Sequence, residues 1–160
     1  GLADPDRIGI YGTSYGGYAA LRAMQKEPDL IRAGASYAGV TDLLVMLDDD
    51  RDVWGLYDDM VALVGNRWRD RRRLVAASPA RGADQIRGPI LIGHGTEDPR
   101  VRVRHAHRMI SALEGAGATV ETRLYEGEVH GFLDERNAID FYTRLADFFE
   151  RHLAPPTASD

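Results

Sequence analysis

The chain has 160 residues, a length that suits one domain with a real hydrophobic core. Charged residues at 28% and hydrophobic ones at 44% are ordinary for a soluble globular protein, and a formal net charge of −5 argues against general affinity for nucleic acid. Cysteine is absent, which excludes a disulfide framework and a thiolate metal site, and no apolar run reaches membrane-spanning length.

The first element is Arg7-Ile8-Gly9-Ile10-Tyr11, short, β-branched and aromatic, which predicts a buried strand near 7–11. Gly12-Thr13-Ser14-Tyr15-Gly16 follows, a G-x-S-x-G pentapeptide, and then the helix formers Ala19 to Gln25, stopped by Pro28, predict a helix near 15–27. A second strand is expected near 34–38, and the irregular 42–75 stretch holds helical segments. There Arg67, Arg69, Arg71, Arg72 and Arg73 form a basic cluster, expected as a solvated helix face balanced by Asp48, Asp49, Asp50 and Asp52.

Ile90-Leu91-Ile92 marks a third strand near 89–94, running into the glycine-rich loop Gly93-His94-Gly95-Thr96-Glu97-Asp98. A helix near 103–116 carries one apolar stripe, Ala106, Met109, Ile110 and Leu113, and ends at Gly115 and Gly117. Alternation over 119–125 predicts a fourth strand, leading into Glu126-Gly127-Glu128-Val129-His130-Gly131-Phe132. The last helix, near 136–152, presents Ile139, Tyr142, Leu145, Phe148 and Phe149 as its stripe. Residues 154–160, with Pro155-Pro156, read as a disordered tail. Strands alternating with helices make this an α/β chain with a mostly parallel sheet flanked by helices.

Ser14, Asp98 and His130 each fall just past the C-terminal end of a predicted strand, the edge at which open parallel sheets bind ligands. A serine hydroxyl is a weak nucleophile until an adjacent imidazole takes its proton, and a carboxylate on the far ring nitrogen fixes the tautomer. Ser14 is thus the candidate nucleophile, His130 the general base, and Asp98, with Glu97 as its neighbouring competitor, the orienting acid. The Tyr15 amide, at the positive end of the first helix, is the candidate oxyanion donor. His94, at a strand end, is expected to bond locally, and His105, His107 and His152 lie in or near helices. No H-E-x-x-H pattern occurs, and neither a metal nor another cofactor is expected.

GTSYGGY (Gly12 to Tyr18), HGTEDPRV (His94 to Val101) and GEVHGF (Gly127 to Phe132) resemble the catalytic blocks of the prolyl oligopeptidase family of serine peptidases, which includes dipeptidyl peptidases and acylaminoacyl-peptidases. The resemblance runs from Leu2 to about Leu153. It implies the C-terminal portion of an α/β-hydrolase fold over 1–153, and it favours Asp98 over Glu97 as the acid. It also implies that upstream strands and a β-propeller domain of the family are missing, leaving the serine-bearing strand as an exposed edge able to join a second copy.

In the family the insertion after the second strand covers the active site. Val40, Trp54 and Tyr57 are therefore candidates to line a pocket for an apolar side chain, or else Trp54 and Tyr57 close the core beneath a long loop. Arg100 and Val101 match positions that border the same pocket in the family, while Arg102 and Arg104-His105 depart from its pattern. The expected activity is hydrolysis of short peptides through an acyl-enzyme, in a cytoplasmic setting without nucleic-acid or membrane partners. An esterase of the same fold and a catalytically inactive truncated chain are the alternatives.

Overall fold

A computed structural model of the chain describes residues 4–51, 53 and 55–155. Four strands form, β1 (Ile8–Thr13), β2 (Ile31–Tyr37), β3 (Ile90–Gly95) and β4 (Val120–Tyr125). They pair in parallel in the order β1-β2-β3-β4, so β1 and β4 are the outer strands. Parallel neighbours need crossover connections, and helices supply them. The helices are α1 (Tyr15–Lys26), α2 (Leu43–Asp49), α3 (Leu56–Val64), α4 (Arg71–Ala76), α5 (Arg104–Gly115) and α6 (Glu135–Leu153).

Alternation along the strands divides the core into two layers. On one face Ile90 and Ile92 meet Leu21 and Met24 of α1 and Ala106, Met109 and Leu113 of α5. On the other, Leu91, Ala33, Ala35 and Tyr37 meet Phe141, Leu145 and Phe148 of α6. A third cluster, Leu43, Leu44, Leu47 and Leu74, holds α2 and α4 together after β2.

β2 begins at Ile31, earlier than the expected 34–38. The register steps from Ile8 opposite Ile31 to Gly9 opposite Ala33, which leaves Arg32 as an extra residue whose exposed guanidinium reaches Asp6 at 3.3 Å. A charged residue at a strand irregularity hides the strand's start from hydrophobic patterning.

The apolar stripe of α6 is also corrected. Phe141, Leu145 and Phe148, at i, i+4, i+7, are buried, whereas Ile139 and Tyr142 are 60% and 52% exposed. Two apolar stripes overlap on this helix, and the sheet accepts the one carrying Phe141, whose ring packs 4.9 Å from that of Tyr37.

The acid cluster of 48–50 does not balance the arginines as a group. Asp48 pairs with Arg67 at 2.7 Å, but Asp49 and Asp50 turn inward to Arg104, Arg102 and Arg100, and Asp52 lies outside the described residues. The expected tail falls outside them from residue 156 onward.

Candidate active site

β1 ends at Thr13 and α1 begins at Tyr15, so Ser14 must turn the chain alone. It does so at φ 58° and ψ −120°, and with Ala38 it is one of two non-glycine residues at positive φ among those described. Such a backbone costs about 1–3 kcal/mol and persists only where its surroundings enforce it. Here the Ser14 N–H donates to the Tyr37 carbonyl at 2.9 Å, and the Ser14 carbonyl accepts from the Tyr18 N–H at 3.1 Å. Gly12 allows the turn, because a Cβ there would run into the Gly16 carbonyl. The Tyr15 N–H is the first of α1 and has no acceptor among the described residues, which leaves it free beside Ser14.

Asp98 sits past β3, with its carboxylate fully buried. Oδ1 accepts from the N–H groups of Arg100 (2.8 Å) and Val101 (2.9 Å), and Oδ2 from His130 Nδ1 at 2.7 Å. Burial alone would raise this carboxyl. The hydrogen bonds from His94, Val101, His130 and Arg100 outweigh it and hold the pKa down at about 2. Glu97, its neighbour, is exposed. His94 is buried at the end of β3 and donates from Nε2 to the Val101 carbonyl at 2.7 Å, with Asp98 Oδ2 3.4 Å away.

His130 completes the line: its Nε2 lies 2.9 Å from Ser14 Oγ. Three side chains from positions 14, 98 and 130 thereby form one continuous relay at the C-terminal edge of the sheet. The loop that carries His130 is braced by Glu128, which sequence reasoning missed. Its buried carboxylate accepts from the N–H of Leu133, the N–H of Asp134 (3.0 Å) and Asn137 Nδ2 (2.7 Å). The Leu133 N–H, then Asn137, hold its pKa below the usual glutamate range. The sequence signal was a glutamate two residues before the histidine, in a loop between a strand and a helix.

The loops carrying Asp98 and His130 are stitched together. The Glu97 N–H donates to the Glu128 carbonyl at 2.9 Å, and the Gly127 N–H to Thr96 Oγ1 at 3.0 Å. Gly95 permits this contact, since a Cβ there would strike the Glu128 and Val129 carbonyls. From β2, the Tyr37 hydroxyl donates to the Gly131 carbonyl at 3.2 Å.

The proposed pocket residues divide. Val40 lines a cavity of about 420 Å³ with Tyr15, Tyr18, Leu43, Met60 and Leu63, and with the Arg73 side chain also in its wall. Tyr57 packs instead on the Leu43–Leu74 cluster and is absent from that wall. Arg100 and Val101 are absent from it too: both hold Asp98 through their backbone, Val101 is buried, and the Arg100 guanidinium lies 3.5 Å from Asp50. Trp54 lies outside the described residues. Among the described residues no cluster of ligating side chains is arranged to hold a metal ion. No helix among them is long and apolar enough to cross a membrane.

Residues 1–155 match the sequence profile of the prolyl oligopeptidase family. The chain belongs to that family. Among its family relatives, dipeptidyl aminopeptidase BIII of Pseudoxanthomonas mexicana is 31% identical over 140 residues, 86% of this chain and 20% of that protein. A puromycin-hydrolyzing peptidase of Mycobacterium tuberculosis superposes with a TM-score of 0.87 at 28% identity, covering 96% of this chain and 23% of that one. The acylaminoacyl peptidase of Pyrococcus horikoshii does so at 0.85 and 27%, covering 99% and 26%. The fold is thus that of the α/β-hydrolase part of these peptidases, and the chain spans about a fifth of the length of the curated relatives it matches.

Proposed function

We propose that this member of the prolyl oligopeptidase family carries the acyl-transfer centre of a serine peptidase acting on short peptides. The observation that supports it is the relay Asp98 Oδ2–His130 Nδ1–His130 Nε2–Ser14 Oγ, with both contacts at 2.7–2.9 Å. Asp98 is ionised throughout the neutral range and accepts a proton only in strong acid, so it fixes the His130 Nδ1–H tautomer and leaves Nε2 as the acceptor.

Nε2 takes the proton of Ser14 Oγ as that oxygen attacks the scissile carbonyl. The Tyr15 N–H, with the N-terminus of α1 behind it, faces the developing oxyanion. Collapse leaves an ester on Ser14, and His130 gives its proton to the departing amine. Water, deprotonated by the same nitrogen, then releases the acid. The cavity walled by Val40, Tyr15 and Leu43 supports an apolar side chain in the substrate.

Labelling with a fluorophosphonate, followed by kinetics on peptide p-nitroanilides and p-nitrophenyl esters, tests this reading. Wild type is expected to label and to cleave anilides, and Ser14→Ala to do neither. Hydrolysis of esters alone would move the chain to the esterases, and absence of labelling would remove the relay's role.

A further inference from the structure

A second concavity, sharing no residue with the relay or the Val40 cavity, lies between α5 and the turn Pro79–Arg81 and has a volume of about 590 Å³. Its walls are cationic. Arg104, His107, Arg108 and Ser111 stand at i, i+3, i+4 and i+7 on the outer face of α5, opposite the buried Ala106, Met109 and Leu113. Arg81 faces them from the turn.

Two buried carboxylates hold these guanidiniums from below. Asp42, which also caps α2, accepts from Arg81 Nε at 2.8 Å and lies 3.8 Å from Arg108 Nε. Asp49 accepts from Arg104 Nε at 3.2 Å and from its Nη2, and lies 3.4 Å from Arg102 Nε. Three guanidiniums line the cleft against two carboxylates, which leaves one positive charge in excess there, in a chain whose net charge is −5. The side chains of Arg81, Arg104 and Arg108 are 39%, 50% and 47% exposed, and no hydrogen bond within the described residues uses a guanidinium N–H of Arg108. Fixed guanidinium forks with free outward donors match the geometry of phosphate oxygens, and several in one cleft suit an anion with charges spread along its length.

We propose that this cleft binds a small linear polyanion carrying two or three phosphate groups. Arg81, Arg104 and Arg108 pair with the phosphates, and Ser111 and His107 add hydrogen bonds. The site is independent of the acyl-transfer reading, because binding is measured without turnover.

Isothermal titration of the purified chain with inorganic tripolyphosphate, and separately with ATP, at low salt tests the proposal. Equal affinity for the two probes places recognition in the phosphates alone, and tighter ATP binding adds a nucleoside contact. Either outcome supports the site if Arg108→Glu weakens binding by about tenfold or more while Arg136→Glu, the same charge change at an exposed position outside the cleft, leaves it within about twofold. Arg108 is the most loosely paired of the three, and Arg108→Ala serves should the charge reversal disturb folding. No saturable binding of either probe below about 10 mM, or equal weakening by both substitutions, would overturn the proposal.

Discussion

Ser14 shows how one residue's backbone serves chemistry at a cost in stability. Its φ of 58° projects the hydroxyl out of the strand–helix turn toward His130, and a glycine would adopt that φ without strain. Ser14→Gly is expected to stabilise the fold by about 1 kcal/mol, the relieved strain exceeding the extra chain entropy, while removing all labelling. Urea unfolding beside the labelling assay measures both. Asp98 acts through charge and orientation. Asp98→Asn keeps its size but can present an N–H to His130, favouring the wrong tautomer, so kcat is expected to fall by about 10⁴-fold with little change in KM. Glu97 is one residue away, but its exposure means that a matching Glu97→Gln substitution leaves kcat near wild type.

Among the elements, the loop from β4 to α6 is held by Glu128, whose oxygens collect donors from three residues. Glu128→Ala leaves those partly buried donors without their acceptor, for an expected loss of about 1 kcal/mol. It also frees His130 to leave Ser14, so kcat should fall more than KM rises. Recovery of kcat in Glu128→Gln would separate lost positioning from general instability. α6 provides a second contrast. Phe141→Ala opens a hole beside Tyr37 and Tyr125 and is expected to cost about 3–5 kcal/mol. Ile139→Ala, on the exposed side of the same helix, should stay within about 0.5 kcal/mol. Thermal or urea unfolding of the pair checks which stripe the sheet buries. Both residues fit a helical period, so the choice belonged to the partner surface and not to the pattern.

Over the whole molecule, buried titratable groups set the acid limit of the fold. His105 is fully buried in α5, where Thr41 N–H donates to its Nδ1 and Asp49, Asp42, His94 and Arg104 surround it. Burial pushes its pKa down to about 4, and the nearby Asp49 only partly offsets this. The unfolded chain takes up a proton on this ring near pH 6.5, but the folded chain only near pH 4, so stability is lost as pH falls through that window, by roughly 3 kcal/mol. Asp98 acts lower down: its depressed pKa contributes stability above its ordinary value of 3.8, which is lost as pH falls toward about 2. Melting curves from pH 7 to pH 3 are expected to show the first loss above pH 4, and His105→Asn should flatten that part of the profile.

What sequence alone carried was everything local in origin: the strand-turn-helix around Ser14, the strand ends that deliver Asp98 and His130, and the α5 stripe of Ala106, Met109 and Leu113. Neighbouring residues encode these features through backbone sterics and periodicity. The start of β2 at Ile31, the α6 face that is buried, the inward turn of Asp49 and Asp50, and the brace at Glu128 came only with the assembled fold. Each depends on which distant surface a residue meets, because a charge or an aromatic ring takes its place from the partners and burial that packing supplies.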